Sequence, residues 1–179
     1  PRYEPASYTD DGVDAQMPDV PRADETVVAI PGEPVDDPET VTAFRVLMEP
    51  WTSQSNGSAR CTIAEGGIPE VLHAHGIVSA LIARIDPYEA LDLLAWAGAS
   101  GGAHGKRRGL ATGRSNAWWF LATFAGMQED WPCDPDELGD VINAMTFAVW
   151  HDDQSPTDGW NMRLVMEDTD EGLACAVSA

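Results

Sequence analysis

Glycine recurs at 101, 105, 109 and 113, a four-residue step that on a helix stacks one residue above the next along a single face. A glycine inside a helix costs about 1 kcal/mol relative to alanine, so three interior ones forfeit about 3 kcal/mol. A chain that keeps such a ladder needs a compensating contact. Either a neighbouring backbone packs unusually close, or exposed N–H groups hold a ligand. The run Ser100 to Arg114 also gathers Lys106, Arg107, Arg108 and Arg114, four of the chain's 10 basic residues. Lys106, Arg107 and Arg108 fall near an expected helix start, where the dipole disfavours cations by about 0.3–1 kcal/mol each. In one reading, carboxylates such as Asp86, Glu89 or Asp92, or those of the N-terminal segment, answer these charges. In the sharper reading, the N–H groups of Gly101 and Gly102, with Lys106, Arg107, Arg108 and Arg114, hold a phosphate or carboxylate anion.

The 179 residues, 44% hydrophobic with seven Trp, suffice for one domain with a real core. Thirty acidic residues against 10 basic ones give a formal net charge of -20. That balance argues against nucleic acid as a partner, because phosphate contact needs a broad positive surface. It favours a protein partner, and a basic one. Cys61, Cys133 and Cys175 are odd in number, widely spaced and without a Cys-x-x-Cys pair, so neither a disulfide framework nor a zinc knuckle fits. All three are expected as small buried hydrophobes in a reducing cytoplasm. No 18-residue apolar run and no basic-then-apolar leader occurs, so neither a membrane partner nor export is expected.

Residues 1–40 hold 11 acids and two bases, with few large apolar side chains before residue 26. Residues 1–25 therefore read as an extended or disordered acidic segment, and 26–179 as a single α+β domain. A first strand is expected at Thr26–Ile30. Val41–Met48 and Ala59–Ala64, around Asn56-Gly57, read as a hairpin. Val71, Leu72, Ile77, Leu81, Ile82 and Ile85 recur at helical spacing and predict a helix over 69–85. Asp86-Pro87-Tyr88-Glu89 reads as a capping box opening a helix that is apolar nearly all round, over 87–97. A further helix is expected over 103–126, and Asp134-Pro135-Asp136-Glu137 opens another with Leu138, Val141, Ile142 and Met145. The chain closes on strands at 160–166 and 173–177. The expected architecture has central helices over about 69–145 packed on an antiparallel sheet built from N-terminal and C-terminal hairpins.

Gly105-Lys106 has the look of a phosphate-binding loop, but position 100 is Ser, position 107 is Arg, and a helix precedes it, so a nucleoside-triphosphate enzyme is not expected. His73 and His75 are weak metal candidates. Two residues apart on a helix, they point about 200° from each other and cannot both ligate one ion. No metal and no cofactor are expected. His104, His151 and Asp152 are the weak catalytic candidates, against the plainer reading of His151-Asp152-Asp153 as a solvated loop. Trp118 and Trp119 point about 100° apart on a helix, so one can be buried while the other lines a groove.

The run Trp96 to Gly109, containing Ser-Gly-Gly-Ala-His-Gly-Lys-Arg-Arg-Gly, with Trp118-Trp119, Trp131-Pro132, Asp134 to Leu138 and Gly159-Trp160, resembles a family of actinobacterial proteins, a domain of unknown function. The resemblance covers about residues 80–179. It implies a bacterial source and assigns no catalytic residue.

Three functional readings follow. The first is a non-enzymatic, acidic binding or assembly domain whose basic glycine-rich helix start pairs with carboxylates or an anion. The second is a small enzyme acting on an anionic substrate through His104, Lys106 and Arg107 with His151 as base. The third is an immunity or inhibitor protein covering a basic target.

Overall fold

The computed structural model describes residues 18–53, 57–100, 108–155 and 161–179, and the backbone of two short strands nearer the N-terminus. Those two, β1 (Ser7–Thr9) and β2 (Gly12–Asp14), pair antiparallel with each other. The main sheet has seven strands: β3 (Glu25–Val28), β4 (Pro34–Val35), β5 (Arg60–Glu65), β6 (Ser79–Ile85), β7 (Thr146–His151), β8 (Arg163–Asp168) and β9 (Leu173–Ser178). They lie in the order β3-β6-β7-β8-β9-β5-β4, every neighbouring pair antiparallel. The helices are α1 (Pro38–Leu47), α2 (Glu49–Ser53), α3 (Ile68–Ala74), α4 (Pro87–Ser100), α5 (Leu110–Phe124) and α6 (Pro135–Ala144). The fold is α+β.

Strand alternation sorts the sheet into two buried faces. Phe147, Val149, Leu164, Met166, Cys175 and Val177 face the core shared with α1, α4, α5 and α6. Ala64, Ala80, Ala148, Ala174 and Ala176, with Trp150 and Val165, face the short helix α3. The alanine-rich face lets α3 sit close with only Ile68, Val71 and Leu72 to bury. The result is three layers: one helix, the sheet, and a thicker helical layer.

Two expected elements change identity. Val41–Met48, read as a strand from its β-branched residues, is the body of α1. Asp37 accepts a hydrogen bond from Thr40 N at 2.9 Å, Pro38 presets the first turn, and Thr40, Ala43, Phe44 and Leu47 fall on one buried face. The hairpin expected from Val41–Met48 and Ala59–Ala64 is therefore absent, and β5 lies between β9 and β4. The helix expected over 69–85 stops at Ala74. Gly76 turns the chain at φ 87°, and the N–H groups of Gly76 and Ile77 bond back to His73 and Leu72 carbonyls at 2.8 and 2.9 Å. The remaining apolar residues form β6, which is hydrogen-bonded on both sides by β3 and β7. Pairing on two edges outweighs a helical spacing that also fits a buried strand.

The other expectations stand closer to the structure. Asp86 Oδ1 accepts from Glu89 N at 2.8 Å while Asp86 N donates to Glu89 Oε2 at 2.9 Å, the reciprocal start foreseen for α4. From Leu93 to Ser100 every residue of α4 is buried. Asp134 accepts from Asp136 N at 2.9 Å and opens α6. The helix expected over 103–126 is seen as α5, its start set by Gly109 at φ 86°. Residues 101–107, which hold Gly101, Gly102, His104, Lys106 and Arg107, lie outside the described residues, as does much of the segment 1–25.

The close backbone approach that the glycine ladder demanded is made by Gly113 against α4. A Cβ on Gly113 would lie 2.3 Å from the Ala95 carbonyl oxygen and 2.8 Å from Ala99 Cβ. Gly98 completes the contact from the α4 side, with Gly113 Cα 3.2 Å from where its own Cβ would stand. Gly109 has no such neighbour and serves the turn. A matched pair of substitutions tests this. Gly113→Ala is expected to destabilise by about 2 kcal/mol or more through overpacking. Gly139→Ala, at an open helical position of α6, is expected to stabilise by about 0.5–1 kcal/mol. Thermal melts moving in the same direction would contradict the assignment.

Candidate functional site

Packing α5 this close to α4 leaves its C-terminal half to meet α6 across a wider gap. A hollow of about 370 Å³ opens there, walled by Tyr88 and Leu91 of α4, Trp118 of α5 and Ile142 of α6. Asp136 and Asp140, one turn apart on α6, set carboxylates on its rim. A second hollow of about 320 Å³ lies on the other side of Trp118 and Pro135, lined by Trp131, Cys133 and Leu138. Trp118 is thus the shared wall of two adjoining concavities. Tyr88 is 76% exposed, a large aromatic surface left outside the core.

The face around these hollows is electrostatically one-sided. The helices α4, α5 and α6 with their caps carry Asp86, Glu89, Asp92, Asp134, Asp136, Glu137 and Asp140. Arg114 is their one base; it is exposed, and no ion pair to it occurs among the described residues. Apolar walls under a carboxylate rim suit a cationic ligand that also carries an apolar body.

Arg108, expected either to hold an anion or to meet Asp86, Glu89, Asp92 or the N-terminal acids, is answered within the chain by a carboxylate not named for it, Glu49. Its guanidinium donates to the Val46 carbonyl at 2.9 Å and pairs with Glu49, while its backbone N–H donates to Ala99 O at 3.1 Å. The Glu49 carboxyl is held below its usual pKa, first by the Ser53 hydroxyl and then by Arg108. Arg108 therefore ties the end of α4 to the α1–α2 corner.

The histidine candidates separate. His73 is exposed on α3. His75 is 3% exposed, with Nδ1 2.9 Å from Thr62 Oγ1, Nε2 3.0 Å from Ser178 Oγ and its ring edge-on to Trp150. Asp152 is bound by Arg163 at 2.8 Å and by Ser155 Oγ at 2.7 Å, and Arg163 stacks over Trp150 at 4.7 Å. His151 sits half-buried on β7 opposite Leu81, its pKa lowered first by burial and then by Arg163. Among the described residues, no three His, Cys, Asp or Glu converge as a metal set. Cys175 is buried as expected, but Cys61 and Cys133 are half-buried, and all three are free thiols.

A family of unknown function matches residues 1–177, nearly the whole length. The chain belongs to this family, DUF6183. No curated protein and no solved structure matches it.

In this DUF6183 chain the sequence marked Trp118 and the α6 start but missed Tyr88, Leu91, Asp136 and Asp140 as site residues. The available signal was an aromatic residue directly after Pro87 in a helix otherwise destined for burial. Tyr88 cannot be hidden at a first helical turn that faces solvent.

His75 has its own consequence. Burial first, then Arg60 and Arg163, lowers its pKa from the ordinary 6.5 to about 4. The unfolded chain binds a proton at His75 as pH falls past 6.5, whereas the folded chain resists until about 4. Stability is therefore complete above this window and declines through it, by as much as about 3 kcal/mol. Urea unfolding of wild type should lose stability between about pH 7 and 5, and His75→Gln should flatten that slope. Equal slopes would show that another group carries the dependence.

Proposed function

We propose that this chain is a binding or assembly domain whose α4–α5–α6 face captures a basic segment of a partner protein through an apolar anchor. The observation that carries the reading is the hollow beside Trp118. Apolar walls from Tyr88, Leu91 and Ile142 stand under Asp136 and Asp140, on three helices bearing one base. An anchor side chain entering the hollow supplies short-range affinity, and Lys or Arg residues flanking it meet the carboxylate rim. The net charge of -20 adds long-range attraction for the same partner and accelerates encounter at low salt. Three free thiols fit a reducing compartment, in keeping with a cytoplasmic partner. No helix among the described residues is long and apolar enough to cross a membrane.

The test uses synthetic peptides of equal length with a central Leu or Trp flanked by Arg and Lys, against counterparts flanked by Glu. Isothermal titration should show binding of the basic series only, weakening as salt rises. Asp136→Asn with Asp140→Lys should weaken it about tenfold or more with no loss of fold, because both residues lie on the rim. Binding that ignores this double change, or amide shifts that map away from Tyr88, Leu91 and Trp118, would defeat the proposal.

A further inference from the structure

Two of the three free thiols meet across the sheet. Cys61 on β5 stands opposite Val177 of β9, and Cys175 of β9 stands opposite Ile63. The two cysteines are therefore diagonal neighbours on one face of the pleat. Their sulfurs lie 3.6 Å apart. They differ in reach. Cys175 is fully buried in the core, whereas Cys61 is half-buried and walls a hollow of about 200 Å³ between α1 and β5. Val41, Phe44, Arg45, Ala59 and Arg60 complete that hollow, so a small polar molecule entering it meets Cys61 and two guanidinium groups. None of the residues walling it bears a carboxylate. Burial first, then Cys61 and Asp37, raises the pKa of Cys175 and keeps that sulfur a thiol.

An accessible sulfur in contact with a buried one divides the work of thiol oxidation. The first takes oxygen from a peroxide, and the second converts the product to a disulfide before oxidation goes further. We propose that Cys61 and Cys175 form a peroxide-responsive site, in which Cys61 takes the oxidant at the hollow and Cys175 resolves it into a reversible disulfide. In the first step the Cys61 sulfur attacks hydrogen peroxide. An S–O bond forms as the O–O bond breaks, and the thiol proton leaves with the second oxygen as water. Cys61 is then a sulfenic acid. In the second step the Cys175 sulfur attacks it. The S–S bond forms as the S–O bond breaks, and the Cys175 proton departs with the hydroxyl as a second water. The pair of sulfurs gives up two electrons to one peroxide. Guanidinium groups bordering the hollow favour the negative charge that gathers on each departing oxygen. The sulfurs must close from 3.6 Å to about 2 Å, and Cys61, at the margin of the core, is the one with room to turn. A reducing compartment does not oppose this, because the disulfides that form there are mostly transient and redox-sensing. Cys133 walls a different hollow, beside Trp118, and serves as the thiol without a resolving partner.

The experiment treats the folded full chain with hydrogen peroxide, with and without dimedone to trap sulfenic acid, and maps the products by non-reducing peptide mass spectrometry. Wild type should yield a peptide linked through Cys61 and Cys175 that dithiothreitol separates again. Cys175→Ala should remove that linkage and raise dimedone labelling of Cys61 about fivefold or more, because the sulfenic acid then has no resolving thiol. Cys175→Ser provides a second variant should the alanine disturb the core. Cys61→Ser should leave Cys175 unlabelled, since peroxide does not reach it in the core. Labelling of Cys61 in wild type as heavy as in the Cys175 variants would overturn the proposal. So would oxidation of Cys175 at an unchanged rate without Cys61, or a linkage that forms only after the chain is unfolded.

Discussion

The contact on which the rest depends is backbone against backbone, where Gly113 of α5 meets Ala95 and Ala99 of α4 with Gly98 at its side. Removing the side chains from this crossing brings two helices closer than leucine-lined surfaces allow. The closeness has two effects. It buries the C-terminal half of α4 between α5, α1 and the sheet, so Leu93 to Ser100 are all buried. It also sets the rotation of α5 about its axis, because Gly113 must face inward. With that face fixed, Ala117, Phe120 and Leu121 point to the core, while Trp118 and Trp119 lie at its margins. Trp118 then borders the two adjoining hollows.

Much of this was written in local chemistry. The reciprocal Asp86–Glu89 start, the Asp134 cap and the all-apolar body of α4 each rest on residues close in sequence, and each is present. Of the glycine ladder only Gly113 packs inside a helix, Gly109 being the N-cap of α5 and Gly101 and Gly105 lying outside the described residues. The errors have one source in common. Val41–Met48 and Ile77–Ile85 satisfy two periods at once, and the choice between them was made by distant partners. For α1 the deciding groups were Asp37 and Pro38 just upstream, legible in principle, together with burial of Phe44 against Phe120 of α5. For β6 they were β3 and β7, far away in the sequence, with Gly76 as the local clue. The hollows were less legible still. Tyr88, Trp118 and Asp140 come together only when helices of separate origin pack, and no spacing along the chain announces it.

Two polar assemblies hold the layers where hydrophobic contact alone leaves freedom. Arg108 joins α4 to the α1–α2 corner at the end of the helical layer. His75 fastens the C-terminus of α3 to β5 and β9 through Thr62 and Ser178. The Arg108–Glu49 pair is open to solvent, whereas His75 is satisfied away from bulk water. Leaving a hydroxyl partner of His75 unmatched would cost more than the bond itself contributes. His75 is further constrained by Arg60 and Arg163, which make its charged form unfavourable, so it works as a neutral donor and acceptor between two hydroxyls. This arrangement argues for a fixed structural position of α3 on its alanine-rich sheet face.

The opposite holds around α5. There the carboxylates of α4 and α6 gather beside aromatic surfaces, and among the described residues they have no guanidinium or ammonium partner. Like charges so placed repel, and the folded state carries that repulsion as a standing cost that grows as salt falls. Indole faces beside them stay partly wet although the chain has enough apolar residues to cover them. A fold selected only for stability has simple ways to remove both penalties, by placing Lys or Arg one turn from Asp140. Ligation by a cation removes them without any change of sequence, since it neutralises the rim and dehydrates the ring in one step. The same reasoning distinguishes the two faces of the molecule. Beneath α3 Asp152 pairs with Arg163 and Glu167 accepts from the Ile68 N–H, whereas the carboxylates around α5 have no basic partner among the described residues.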